Sequence, residues 1–136
     1  MTHPRTSVLI VLLVTLVIAA GAAHVVFARE GIGQVTVTAR PESFNGTCPA
    51  HIHFSARIEI DKYPLSLNYE WIRSDGAKGP LKTWRAPSSG TRSLTATDSW
   101  TLGQKGEHIE VWEKIRVRSG NTDITSDSVT VSITCR

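Results

Sequence analysis

Ser66-Leu67-Asn68-Tyr69-Glu70-Trp71-Ile72-Arg73-Ser74-Asp75-Gly76-Ala77-Lys78-Gly79 is the stretch on which the fold reading turns. Leu67, Tyr69 and Trp71 alternate with Asn68 and Glu70, the period of a strand with one buried face. Ser74-Asp75-Gly76 ends that strand, because Asp bonds its own backbone in turns and Gly accepts the positive φ that tight turns need. The same two-residue period recurs on both sides. Gln34 to Arg40 sets Val35, Val37 and Ala39 against Thr36 and Thr38. In His51 to Ile60, Ile52, Phe54, Ala56, Ile58 and Ile60 share one face, and His51, His53, Ser55, Arg57 and Glu59 the other.

The pattern continues to the end of the chain. Leu81 to Arg85 lies between Pro80 and Pro87 and reads as a short edge strand, since Pro cannot donate to a ladder. From Arg92 to Leu102, Leu94, Ala96, Trp100 and Leu102 share a face, with Asp98 as its one mismatch. In Glu107 to Arg118, Ile109, Val111, Ile115 and Val117 face inward, and Glu113 breaks the pattern at an expected bulge. The last strand presents Val129, Val131 and Ile133 and closes at Cys135. Pro41 to Pro49 reads as a loop, its Asn45-Gly46-Thr47 being either a glycosylation sequon or a tight turn. The sum is an all-β, seven-stranded antiparallel β-sandwich with no helical periodicity after residue 30.

The N-terminus is different in kind. Ser7 to Ala28 is 22 residues without Asp, Glu, Lys or Arg, preceded by Arg5. That run predicts one hydrophobic helix, about as long as the roughly 20 residues a bilayer core requires. Positive charge before it would keep the N-terminus in the cytoplasm. Residues 1–30 are therefore expected to be a signal anchor that holds residues 7–28 in the membrane, and residues 31–136 the sandwich domain. Cleavage after Ala23 or Ala28 would instead make it a secretory signal peptide. Either way the domain lies outside the cytoplasm.

Composition narrows the partners. The 136 residues are 40% hydrophobic and 20% charged, which fits a globular chain and not a disordered one. Net charge is +3, but the Lys and Arg residues are scattered with no run. Binding to nucleic acid needs those charges gathered on one face, so the sequence argues against that partner.

The chain holds two cysteines, Cys48 and Cys135. An even number in an exported chain predicts a disulfide. If the strands run alternately up and down, Cys48 before the second strand and Cys135 at the end of the seventh meet at one pole. The bond would then staple two sheets at their rim, at the pole opposite the chain's entry.

Tyr69-Glu70-Trp71-Ile72-Arg73-Ser74-Asp75-Gly76-Ala77-Lys78-Gly79-Pro80 resembles a motif of bacterial extracytoplasmic immunoglobulin-like modules. Asn45-Gly46-Thr47-Cys48-Pro49 and Val131-Ser132-Ile133-Thr134-Cys135 are similar to their Cys-bearing ends. The resemblance runs from about Phe44 to Cys135. It implies a non-catalytic β-sandwich with an interaction role. Antibody-type domains are a poorer match: Cys48 lies 23 residues before Trp71 and no Tyr precedes the second Cys as a tyrosine corner would require.

Candidate site residues follow. His51 and His53, two apart on a strand, share a face and form a possible metal pair, with His108 the remaining imidazole of the domain. Trp71 and Trp100 fall on apolar faces and read as core. Trp84 and Trp112 fall on outward parities and are candidates for a carbohydrate-stacking or partner surface. Asp75 and Lys78 sit in the turn expected to share the outward pole with the disulfide. Glycine-x-serine-x-glycine elbows, phosphate-cradling loops and nucleophile–His neighbours are absent from the sequence, and Glu110 and Glu113 face opposite sides. No enzyme activity and no cofactor is expected. The reading is a membrane-anchored interaction or adhesion module of the bacterial surface that recognises a protein or a cell-envelope glycan. The alternatives are a secreted carbohydrate-binding module using Trp84 and Trp112, and a metal-binding surface protein using His51 and His53.

Overall fold

A computed structural model describes residues 31–63, 65–86 and 92–136. The expected N-terminal anchor or signal, residues 1–30, lies outside the described residues. Among those described, no helix is long and apolar enough to cross a membrane.

The described residues form nine strands: β1 (Ile32–Arg40), β2 (Ser43–Gly46), β3 (Ala50–Ile60), β4 (Leu65–Arg73), β5 (Lys82–Ala86), β6 (Ser93–Leu102), β7 (His108–Ser119), β8 (Thr122–Thr125) and β9 (Val129–Cys135). They make two sheets. One has the order β1-β3-β6; the other runs β2-β9-β7-β4-β5, with β8 also paired to β7. The seven expected strands are present, and β5 is an edge as its flanking prolines require.

Two short strands correct the count. Ser43–Gly46, read as loop, is β2, and it pairs in parallel with β9 from Ser43↔Ser132 to Gly46↔Cys135. The larger sheet is therefore mixed and not wholly antiparallel. Four residues with Asn45-Gly46 at their end carry too little alternation to show, and what holds them is main-chain pairing with a strand far along the sequence. Thr122–Thr125 is β8, which folds back on β7 from Arg116↔Thr125 to Ser119↔Thr122. The chain then steps sideways, and β9 takes up pairing with β7 from His108 to Glu113. Buried Ser126 fills the step: its N–H donates to Ile115 O at 2.9 Å and its Oγ accepts from Ile115 N–H at 3.1 Å. A buried polar side chain is thereby satisfied where the ladder is interrupted.

The core is the space between the inner faces. Ile52, Phe54 and Ile58 of β3 oppose Leu67, Ile115, Val117, Val131 and Ile133 of the other sheet, all under 2% exposed. Trp71 is 3% exposed and lies 6.5 Å from the Phe54 ring at a tilted 57°, so it joins the two sheets as a core residue.

Glu113 needs a correction. The β7 register runs without a break through Arg73↔Glu113 and Glu113↔Val129, so there is no bulge. Glu113 simply points inward, at 0% exposure. Its tolerance there comes from its neighbours.

Candidate functional site

Arg73 has the same parity as Leu67 and Trp71 and enters the space between the sheets. Its Nε donates to Glu113 Oε1 at 2.9 Å, and its Nη2 to Asp98 Oδ2 at 2.9 Å and to Ser99 O at 3.1 Å. Its guanidinium carbon stands 4.9 Å from the centroid of the Trp100 ring. The planar fork reaches β7 of its own sheet and β6 of the other at once, which an ammonium on a flexible stem would not do. The two polar mismatches, Asp98 and Glu113, are thus one cluster with Arg73. Three polar residues at inward parity, one of them a cation, were the available signal in the sequence.

The electrostatics of this clamp are uneven. Burial, reinforced by the charge of Asp98 and opposed by Arg73, pushes the Glu113 carboxyl up to about 7. Its Oε2 is buried with no hydrogen-bond partner. A neutral carboxyl tolerates that position far better than a carboxylate does. Burial alone would lower Arg73, but the hydrogen bond and charge of Asp98, with Glu113 behind them, hold it above its ordinary value.

At one end of the sandwich Cys48 and Cys135 are disulfide-bonded, with Cα atoms 5.3 Å apart. Cys48 leads into β3 and Cys135 ends β9, so the bond joins the two sheets. Gly103 packs on it with φ +89°, and a Cβ there would stand 2.5 Å from Cys135 Sγ and 2.9 Å from Cys48 Sγ. The chain enters the domain at the other end, where Ile32 pairs with Ile60.

The turn after β4 is built as its sequence requires. Asp75 Oδ1 accepts from Ala77 N–H at 2.9 Å, and Gly76, at φ +83°, donates to Arg73 O at 3.0 Å. Lys78 then pairs back to Ile72. Asp75 and Lys78 are both exposed. Ser74 bonds Trp112, whereas Cys135 bonds Glu107, five residues earlier and just before β7. At about 3.4 Å per residue the turn stops roughly 17 Å short of the disulfide along the sheet. It points to the same end without adjoining the staple.

The tryptophans divide differently from their expected parities. Trp84 pairs with buried Leu67 and packs against the core, so it faces inward. Lys82, Trp84 and Ala86 form the inner set of β5, and Leu81, just before the strand, is 55% exposed. In a five-residue edge strand the parity is set by pairing with β4, which local sequence does not reveal. Trp112 does face outward, half-buried, with Lys114 Nζ 5.2 Å from its ring centroid. Trp84 and Trp112 therefore lie on opposite faces of one sheet and share no platform.

The outer face of β1-β3-β6 collects His51 and His53. Both are exposed, and His51 Nδ1 is hydrogen-bonded to Thr101 Oγ1 at 3.0 Å. His108 is on the other sheet, bonded through Nδ1 to Thr134 Oγ1 at 2.8 Å. Among the described residues, no three His, Cys, Asp or Glu side chains gather as a metal site. In cross-strand rows the face reads Arg40–His53–Ser99, Thr38–Ser55–Thr97 and Thr36–Arg57–Thr95. A depression of about 410 Å³ lies on it, lined by His53, Ser55, Thr97 and Ser99 with the backbone neighbours Phe54 and Asp98. A second, of about 450 Å³, lies at the chain-entry end among Arg57, Glu59, Asp61, Tyr63 and Arg92.

A solved structure has a similar fold. The CARDB domain of a Pyrococcus furiosus protein, crystallised in complex with di-metal ions, superposes with a TM-score of 0.50 at 17% identity, over 76% of this chain and 90% of that one. The fold is an immunoglobulin-like β-sandwich. No family model matches the chain. No curated protein matches it either. At that identity the likeness bears on the fold alone.

Proposed function

We propose that this chain is an interaction module held outside the bacterial cell by its N-terminal hydrophobic segment, acting by recognition and not by catalysis. The observation that carries this reading is the Cys48–Cys135 bond between the sheets. Such bonds persist in oxidising compartments and are rare in the cytoplasm. The charge-free run from Ser7 to Ala28 supplies an export or anchoring segment of matching length. With residues 7–28 in the membrane, entry at Ile32 would hold the stapled end away from the bilayer. Immunoglobulin-like sandwiches host many functions, so the fold supports the role without naming a ligand. The CARDB domain's metal ions give no support for a metal role of His51 and His53, since the two chains share only architecture.

The secreted-carbohydrate alternative loses its paired platform, because Trp84 faces the core and only Trp112 is outward. Protease treatment of intact cells, read by an antibody to the domain, tests the proposal. Degradation with the cytoplasmic markers intact is expected. A protected chain in unbroken cells, degraded only after lysis, would overturn it; a full-strength signal in the medium would favour the cleaved, secreted form.

A further inference from the structure

We infer that the distal half of the β1-β3-β6 outer face binds an extended acidic polysaccharide, with Arg40 and His53 taking a carboxylated sugar unit beside the hydroxyl-lined depression. This rests on the interaction reading above and names the partner class and the surface.

The face carries no apolar side chain. Its outward residues are Thr36, Thr38 and Arg40 on β1, His51, His53, Ser55, Arg57 and Glu59 on β3, and Ser93, Thr95, Thr97, Ser99 and Thr101 on β6, as the registers fix. A protein docking surface normally has an apolar centre with aromatic anchors, and this one has neither. What it offers is hydrogen-bond donors and acceptors in rows about 4.8 Å apart across strands.

Charge is graded along it. At the distal end Arg40 sits beside His53 in one row, with His51 next along β3. Among the described residues of the face, the first carboxylate is Glu59, six positions from His53 and about 20 Å away. Glu59 lies 3.9 Å from Arg57, and Asp61 lines the depression at that end. Asp98, at the edge of the distal depression, has its carboxylate held by Arg73 on the inner side. An anionic ligand therefore meets Arg40 and two imidazoles with no carboxylate among them on the distal half of the face, whereas Arg57 and Arg92 at the chain-entry end stand among Glu59 and Asp61.

The density of charge selects the polymer. One Arg and two imidazoles spread among hydroxyls suit a chain whose carboxylates are separated by uncharged, hydroxylated units. A nucleic acid carries a phosphate about every 3.4 Å per strand and presents bases that call for aromatic stacking. This face has too few cations and no ring platform for that. Charge-assisted hydrogen bonds to carboxylate, with Ser and Thr for the intervening hydroxyls, match an acidic glycan.

The test uses the full chain in detergent over immobilised polygalacturonate, with uncharged dextran and polyglutamate as parallel supports. Retention on polygalacturonate, none on dextran and at least tenfold less on polyglutamate are expected. The R40Q/H53Q double variant should lose at least tenfold in affinity. The R85Q/K114Q double variant, which removes charge from the outer face of the other sheet, should change by less than twofold. Equal losses in the two double variants, equal retention on polyglutamate, or no retention of the wild type would each overturn the inference. A surface-exposed chain that fails this test overturns the ligand assignment alone; a chain protected in intact cells overturns the parent reading as well.

Discussion

Arg73 on β4 and Asp98 on β6 belong to different sheets, yet the guanidinium Nη2 donates to the carboxylate Oδ2 over 2.9 Å. The same guanidinium bonds Glu113 and stacks on Trp100. One side chain thus fixes how the two sheets are set against each other, near the middle of the interface. The disulfide does so at its end.

Replacing Arg73 should be costly. Arg73→Met leaves Asp98 and Glu113 facing one another with no cation, and losing the charged partner of these part-buried hydrogen bonds costs on the order of 2 kcal/mol. Arg73→Lys keeps the charge but loses the fork, and should recover only part of that loss. Urea unfolding of the three proteins checks the order wild type, Lys, Met; equal midpoints would remove Arg73 from the account.

Glu113 sets a pH dependence with a definite sign. Its ordinary value is 4.5 and the folded protein holds it at about 7. Between those values the native state keeps a proton that the unfolded chain has released. Its contribution to stability is therefore complete below about pH 4.5 and is lost as pH rises through about 7. The loss is on the order of 3 kcal/mol at most. Asp123, lowered by its hydrogen bond to Arg116, acts in the opposite sense, with loss as pH falls below its ordinary 3.8, and does not mask this window. Glu113→Gln should flatten the stability profile from pH 4.5 to 7, measured by urea midpoints across that range. An unchanged slope would contradict the assignment.

Gly103 should resist substitution. At φ +89°, with the two sulfurs against the position a Cβ would take, Gly103→Ala meets both backbone strain and overlap. A loss of about 1–3 kcal/mol is expected, seen as a lower Tm. Gly76→Ala, also at positive φ but in open space, isolates the backbone part and should cost less.

Removing the disulfide opens a loop whose ends are 87 positions apart. The chain-entropy model assigns such a loop about 4–5 kcal/mol. The double variant Cys48→Ser with Cys135→Ser should lose a comparable amount in urea, and dithiothreitol should lower the wild type to the same level while leaving the variant unchanged.

Most of the sandwich was legible because alternation over eight or more residues, as in His51 to Ile60, records which face is buried. β2 and β8 were not, since four residues held by main-chain pairing leave no such record. Trp84 was misplaced for a related reason: the inner face of β5 is chosen by the Leu67 pairing. Asp98 and Glu113 stood out in the sequence as separate blemishes. Only the registers bring them to Arg73, because Arg73, Asp98 and Glu113 are separated by 25 and 40 positions. The surface rows Arg40–His53–Ser99 were hidden likewise, each member on a different strand.

A sandwich that works outside the cytoplasm keeps Cys48 and Cys135 oxidised in living cells, and their redox state there can be read directly. Cells are treated with a membrane-permeant alkylating reagent before lysis, and the chain is then mapped by mass spectrometry without reduction. An intact Cys48–Cys135 cross-linked peptide and no alkylation at either residue are expected. Both cysteines alkylated in cells that keep other exported disulfides intact would contradict a place outside the cytoplasm.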